Sequence, residues 1–143
     1  MEPMETVYDL VIVGAGPAGL EAALQAQNAG LSYILFDQET AGSLIENTMA
    51  NKKFLHVYGR NTATLKGVLP FPDRLKGGEL VTLWKEAAKS LSFKPHAKIH
   101  TVKKSGDTFT VEADAETYAA KHVLLTSGTF EKHRTLDVPG EIN

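Results

Sequence analysis

Leu10-Val-Ile-Val13 is an unbroken apolar run rich in β-branched residues. Such a run suits a central parallel strand covered on both faces. The next segment, Pro17 to about Ala29, is rich in alanine and leucine and reads as a helix, with Gly30 as its C-terminal stop. Tyr33 to Phe36 is a second apolar strand. From Gln38 to about Leu75 no period holds. Thr40-Ala-Gly-Ser43 signals a loop, and Phe54, Tyr58 and Phe71 are scattered among polar residues. The pattern predicts a long irregular connection, either wrapped around a ligand or partly disordered. Gly77-Gly78 then introduces a helix from Glu79 to about Ser90, with Leu80, Trp84, Ala87, Ala88 and Leu91 on one face. From Phe93 the period falls to two. Lys98 to Lys103 reads as a strand, and Ser105-Gly-Asp107 as a turn. Phe109, Val111 and Ala113 mark the buried face of the next strand, which Asp114-Ala-Glu116 ends in a second turn. A short strand over Thr117 to Ala119 and a final apolar one over Lys121 to Thr126 follow. Thr126-Ser-Gly128 breaks that strand, and Leu136 to Glu141 reads as a turn or linker.

The first strand and helix are joined by Gly14-Ala-Gly-Pro-Ala-Gly19, a G-x-G-x-x-G turn. Gly14 permits the sharp exit from the strand, Gly16 lets a pyrophosphate approach the backbone, and Gly19 lets the helix pack close to the sheet. Unpaired N–H groups at the helix N-terminus and its positive dipole end favour an anion there. Pro17 costs little in that first turn, having no N–H to leave unpaired. Asp37 ends the second strand 18 positions after Gly19. That is close to the ~20 expected of a carboxylate that accepts hydrogen bonds from a ribose and repels a 2′-phosphate. Strand, turn, helix, strand and acid in this order indicate a dinucleotide site. The plainer alternative is a βαβ unit with a glycine turn.

Composition narrows the partners. The chain has 143 residues, enough for one domain with a core, and a formal net charge of −2. No dense basic cluster offers itself to nucleic acid or an anionic membrane, and no apolar run nears the ~20 residues of a membrane span. The short acidic N-terminus lacks the features of a signal peptide, so a cytoplasmic location is the default expectation. There is no cysteine, hence no disulfide, zinc–thiolate site or C-x-x-C pair within these residues. Histidines 56, 96, 100, 122 and 133 share no helix face at metal-binding spacing and read as surface or strand residues; no metal site is expected. Trp84 could stack on a cofactor, but its place in the apolar stripe argues for the core.

Four blocks carry a resemblance to a known family: Val11 to Leu20 with Asp37; Phe71 through Gly77-Gly-Glu-Leu80; Lys121 to Gly128; and Val138-Pro-Gly-Glu141. Together they resemble the FAD-binding N-terminal segment of the thioredoxin-reductase-like, two-dinucleotide-domain pyridine nucleotide oxidoreductases. The resemblance implies an α/β fold: a Rossmann-like, three-layer β-β-α domain with a parallel sheet and a small antiparallel meander. It implies FAD as cofactor and NAD(P)H as co-substrate, with hydride passing to the flavin and on to an unidentified acceptor. Residues 1–143 would be the first segment of the FAD domain. The inserted NAD(P)H domain and the returning FAD segment would lie outside this chain, leaving the fragment alone not competent for turnover. A homodimer through an unpaired sheet edge is compatible with that reading. Two departures stand out: Thr126-Ser-Gly128 replaces Ala-Thr-Gly, and Asp37 stands where many relatives carry glutamate. The Gln38–Leu75 segment is also longer than in compact thioredoxin reductases, and is more similar to that of bacillithiol-disulfide-reductase-like members or flavin monooxygenases.

By the same resemblance the site residues bind rather than catalyse. Gly14, Ala15, Gly16, Pro17, Ala18 and Gly19 would cradle the pyrophosphate. Asp37, flanked by Phe36 and Gln38, would hold the adenosine ribose. Gly42 and Ser43 would lie near the ribityl chain or flavin, Ala97, Lys98 and Ile99 near the adenine, and Thr126, Ser127 and Gly128 would approach from the last strand. Two other readings compete. An NAD-binding dehydrogenase domain shares the fingerprint, but the meander interrupts its expected βαβαβ order. A non-catalytic nucleotide-binding module is the third.

Overall fold

In a computed structural model the described residues are 6–58, 61–62, 67–114, 116–129 and 138. One six-stranded sheet dominates, and its order records where the chain changes direction. Strands β1 (Val7–Val13), β2 (Tyr33–Phe36), β5 (Phe93–Lys94) and β8 (Glu116–Leu125) are parallel neighbours in the order β5-β2-β1-β8. Strands β7 (Thr108–Ala113) and β6 (Ile99–Ser105) continue the sheet beyond β8 as an antiparallel meander. Strands β3 (Val57–Tyr58) and β4 (Asn61–Thr62) form a separate antiparallel pair. The α/β class, with a parallel sheet and an antiparallel meander, is as expected.

The apolar runs of β1 and β2 are continuous because both faces are covered. Ile12 and Leu35 point to one side, among Leu20 and Ala23 of α1 (Pro17–Asn28) and Leu80 and Trp84 of α3 (Gly77–Ala88). Val11, Ile34 and Phe36 point to the other side and pack with Val111, Ala113 and Ala120 of the meander. Helices thus cover one face of β1 and β2, and residues of the meander pack against the other. Burying each of these larger side chains contributes about 1.5–3 kcal/mol. Asp9 fastens the strands at the opposite end from the turn. Its carboxylate takes the Lys121 ammonium at 2.7 Å and the Ser32 N–H and hydroxyl at 3.0 Å each. These bonds, Lys121 first, hold its pKa down at about 2.

Helix α1 ends as the sequence indicates. Gly30 has φ +70°, and the Leu31 and Gly30 N–H groups close back on Ala26 O and Gln27 O.

Four expectations need correction. The Gln38–Leu75 stretch is not loop throughout, since α2 (Ser43–Met49) lies within it. Seven residues are too few for a period to show in sequence. The helix is held by tertiary packing, Ile45 and Met49 joining the core beside α3. Second, Gly77 and Gly78 lie inside α3, which ends at Ala88. A Cβ on Gly77 would stand 2.3 Å from Met49 O, so this glycine serves the α2–α3 contact. Third, the strands expected at Thr117–Ala119 and Lys121–Thr126 are one ten-residue strand, β8, which ends at Leu125 and leaves Thr126 just beyond it. Its N-terminal half pairs with β7 and its C-terminal half with β1, which changes the burial pattern midway and imitates a break. Fourth, β5 was not anticipated, because two residues carry no pattern of their own. Trp84 is in the core, fully buried, with its indole N–H donating to Pro70 O at 2.7 Å. Of the 136–141 stretch only Val138 is among the described residues, and His133 lies outside them.

Candidate functional site

The parallel strands β1, β2 and β8 all end on one side of the sheet, and a groove of about 730 Å³ opens there. In open parallel sheets this carboxyl edge is where ligands bind. The glycine-rich turn forms its centre. Gly14 has φ +106°, and a Cβ on it would meet Thr126 O at 2.6 Å, so only glycine fits. Gly16 is extended at φ −76°, ψ −174° and a Cβ there would meet nothing within 4 Å of protein. What its missing side chain leaves is open groove. Gly19 differs from both: a Cβ would fall 1.8 Å from Gly14 O. It is buried between helix and turn, away from the groove lining.

Every other residue singled out in the sequence lines that groove: Gly14, Ala15, Gly16, Pro17 and Ala18 from the turn; Phe36, Asp37 and Gln38 after β2; Gly42 and Ser43 at the start of α2; Ala97, Lys98 and Ile99 before and in β6; and Thr126, Ser127 and Gly128 after β8. Helix α1 begins at Pro17, and the first N–H satisfied in its first turn is that of Leu20, on Gly16 O at 2.9 Å. The N–H groups of Ala18 and Gly19 precede it at the positive end of the helix.

Asp37 is engaged by the backbone around it. Oδ2 accepts the Ala15 N–H at 2.7 Å, and Oδ1 accepts the Glu39 N–H at 2.8 Å. Each oxygen keeps a further lone pair for another donor. The loop before β6 is tied to the same segment, with His96 N–H on Glu39 O and Ala97 N–H on Asp37 O, both at 2.9 Å. Asp114 braces this wall from behind, accepting from Lys98 N–H at 3.3 Å and bonding His100 Nε2 at 3.1 Å. The His100 contact, more than any other, holds the Asp114 carboxyl below its ordinary range.

Sequence reasoning missed several lining residues: Leu44, Ile45, Asn47 and Thr48 of α2, and His100, Thr101 and Val102 of β6. The first group was hidden because α2 itself was hidden. The second was within reach, since the wall named at Ala97 to Ile99 continues directly into the strand foreseen there. Among the described residues no three His, Asp or Glu side chains are grouped to hold a metal ion, and no helix is long and apolar enough to cross a membrane.

Known proteins share this chain's sequence pattern and fold. A family model described as pyridine nucleotide-disulphide oxidoreductase matches residues 11–143. A thioredoxin reductase from Mycolicibacterium smegmatis is 29% identical over 99% of this chain and 40% of its own length. Among solved structures, a thioredoxin reductase from T. acidophilum is 32% identical with a TM-score of 0.68, over 95% of this chain and 40% of that one. A bacillithiol disulfide reductase from Staphylococcus aureus has a TM-score of 0.75 at 22% identity, over 96% and 43% of the two chains, which shows a shared fold. The chain spans about 40% of the length of the curated relatives it matches.

Proposed function

The chain belongs to the pyridine nucleotide-disulphide oxidoreductase family, and on that premise we propose that it is the FAD-binding first segment of a thioredoxin-reductase-like NAD(P)H oxidoreductase. The observation that carries the reading is the groove itself. A glycine turn without a side chain at Gly16, a helix N-terminus behind it and a carboxylate at Asp37 face one cavity of about 730 Å³. These residues fit a dinucleotide: an anion site at the turn, a ribose acceptor beside it, and a long wall over residues 97–102 for the adenine.

A bound flavin would supply the two-electron chemistry between NAD(P)H and an acceptor. The residues of this chain bind and orient. Gly14 to Ala18, with the Gly19 N–H at the helix start, would hold the pyrophosphate, Asp37 the ribose hydroxyls, Ala97 to Ile99 the adenine, and Gly42 and Ser43 the ribityl side, while Thr126 to Gly128 would approach from the last strand. No acid or base of this chain is assigned to the transfer. Donor and acceptor rings must come within about 3–3.5 Å, so a second dinucleotide site is required, and we place it outside these 143 residues. The acceptor and the assembly state belong to that larger protein.

Titrating the purified chain with FAD tests the proposal. The expected result is saturable binding with quenched flavin fluorescence and an absorbance band near ~450 nm that co-elutes with the protein. A chain that binds NAD but not FAD would be the dehydrogenase domain instead, and one that binds neither would be a module of another kind. FAD-loaded chain mixed anaerobically with NADH or NADPH should keep its colour; bleaching faster than free FAD would overturn the placement of the second site.

A further inference from the structure

Strands β2, β1 and β8 end side by side at Phe36, Val13 and Leu125, and the next residues are Asp37, Gly14 and Thr126. The peptide unit joining Gly14 to Ala15 lies between the other two and is gripped at both ends. Its N–H donates to Asp37 Oδ2 at 2.7 Å. Its carbonyl accepts the Thr126 hydroxyl at 2.8 Å. We propose that Thr126 is a positioning residue for the dinucleotide site, the partner of Asp37 in a clamp that fixes the plane of the Gly14–Ala15 peptide.

The clamp answers a problem the glycine creates. Gly14 must be glycine because φ is +106° and the Thr126 backbone leaves no space for a Cβ. The same freedom lets the adjoining peptide rotate. A rotated peptide would turn its carbonyl oxygen toward the groove, against the charge of a pyrophosphate. Two hydrogen bonds of opposite polarity, one from each neighbouring strand end, oppose that rotation before any ligand arrives. The Thr126 hydroxyl also lies 3.0 Å from Val13 O. That carbonyl also takes the Thr126 N–H at 2.9 Å, so it keeps a donor when the hydroxyl turns to Gly14 O, the shorter of its two contacts. An alanine at this position, as in Ala-Thr-Gly turns, has no hydroxyl to offer. The side chain seen from sequence as a wall of the groove therefore also acts behind it, on the turn. Gly19 completes the arrangement, since a Cβ there would fall 1.8 Å from Gly14 O and 2.7 Å from Thr126 Oγ1.

The role in binding rests on the FAD reading above, whereas the clamp can be measured without ligand. Thr126→Val removes the hydroxyl at nearly constant volume, and Thr126→Ser keeps it. In the ligand-free chain, native-state amide exchange at Ala15 should quicken about tenfold in Thr126→Val, the effect of losing one hydrogen bond, and return to near the unmodified rate in Thr126→Ser. FAD affinity should follow the same order, weaker by about tenfold in the valine variant and restored by serine. Unchanged exchange at Ala15 in Thr126→Val, or a serine variant as impaired as the valine one, would overturn the clamp. The expected exchange pattern in a chain whose unmodified form binds no FAD would uphold the clamp and overturn the FAD reading.

Discussion

The glycine-rich turn and the 38–76 connection both shape the groove side of this molecule, yet they are held by different means. The turn is fixed by backbone hydrogen bonds to the neighbouring strand ends, with the Asp37 carboxylate and the Thr126 hydroxyl gripping its Gly14–Ala15 peptide. Gly14 N–H bonds Phe36 O at 2.7 Å, Thr126 N–H bonds Val13 O at 2.9 Å, and glycines stand where a Cβ would collide. The connection has backbone bonds of its own, Phe54 N–H on Leu75 O and Arg74 N–H on Phe54 O at 2.9 Å each, but its 68–70 segment is held by side chains reaching in from helices. Glu21 of α1 accepts the N–H groups of Val68 and Leu69, 47 and 48 residues away. Trp84 of α3 holds Pro70 O, and Lys85 of α3 pairs with Glu46 of α2 at 2.6 Å. A turn whose glycines stand where a Cβ would collide tolerates few sequences, and its strand neighbours hold it from both sides. A side-chain-held segment tolerates many sequences but fails when one distant anchor is removed.

The strongest test of this contrast is Trp84→Ala. It empties a fully buried site and leaves Pro70 O without its donor. A loss of about 3–5 kcal/mol is expected in denaturant unfolding. Amide exchange should rise over residues 67–71 well before it rises over 14–16. Equal protection in both segments would mean residues 68–70 have anchors of their own.

Next comes Gly19→Val. The new side chain must displace Gly14 O or push α1 off the sheet, with an expected cost of about 1–3 kcal/mol or somewhat more. Here the turn, not the connection, should lose protection first.

Glu21→Gln should cost about 1 kcal/mol, because a carboxamide accepts fewer and weaker hydrogen bonds than a carboxylate. Burial pushes the Glu21 carboxyl upward, but the Leu69 N–H, the Gln25 side chain and the Val68 N–H together bring it below its ordinary value of 4.5. A depressed carboxyl contributes stability that is complete above the unfolded value and lost as pH falls through the folded one. Acidification below about pH 4.5 should therefore loosen residues 67–69, and Glu21→Gln should remove that part of the pH dependence. Identical acid profiles for both proteins would place the tether elsewhere.

Smallest in stability is Gly16→Val. Its backbone is extended and the space is open, so the melting temperature should barely move. If the chain binds FAD as proposed, that binding should nonetheless be lost, since the branched side chain fills the approach to the backbone. If Gly16→Val and Gly19→Val melt alike, the two glycines do not have the separate roles assigned to them.

Continuous features made most of the site legible. Leu10 to Phe36 holds strand, turn, helix and strand within one window, and the spacing from Gly19 to Asp37 follows from that unit closing on itself. The 38–75 stretch hid α2 because a seven-residue helix has too few turns to display a face. The Glu21 tether was hidden because nothing local marks an exposed-looking acid on a helix as the acceptor for a loop 47 residues on.

The buried strands β1 and β2, the glycine turn and the acid beside it can be read along the chain, because they depend on local backbone geometry and on apolar runs that have only one economical placement. How the turn is held emerges only when distant strand ends meet. The Asp37 carboxylate bonds Ala15 N–H and the Thr126 hydroxyl bonds Gly14 O. Those partners lie 22 and 112 residues apart along the chain, and they meet only because three parallel strands end at the same level. Hydrogen bonds act over about 3 Å, so which groups form them is settled by the register of strands, β1 against β2 and β8, that no local pattern encodes.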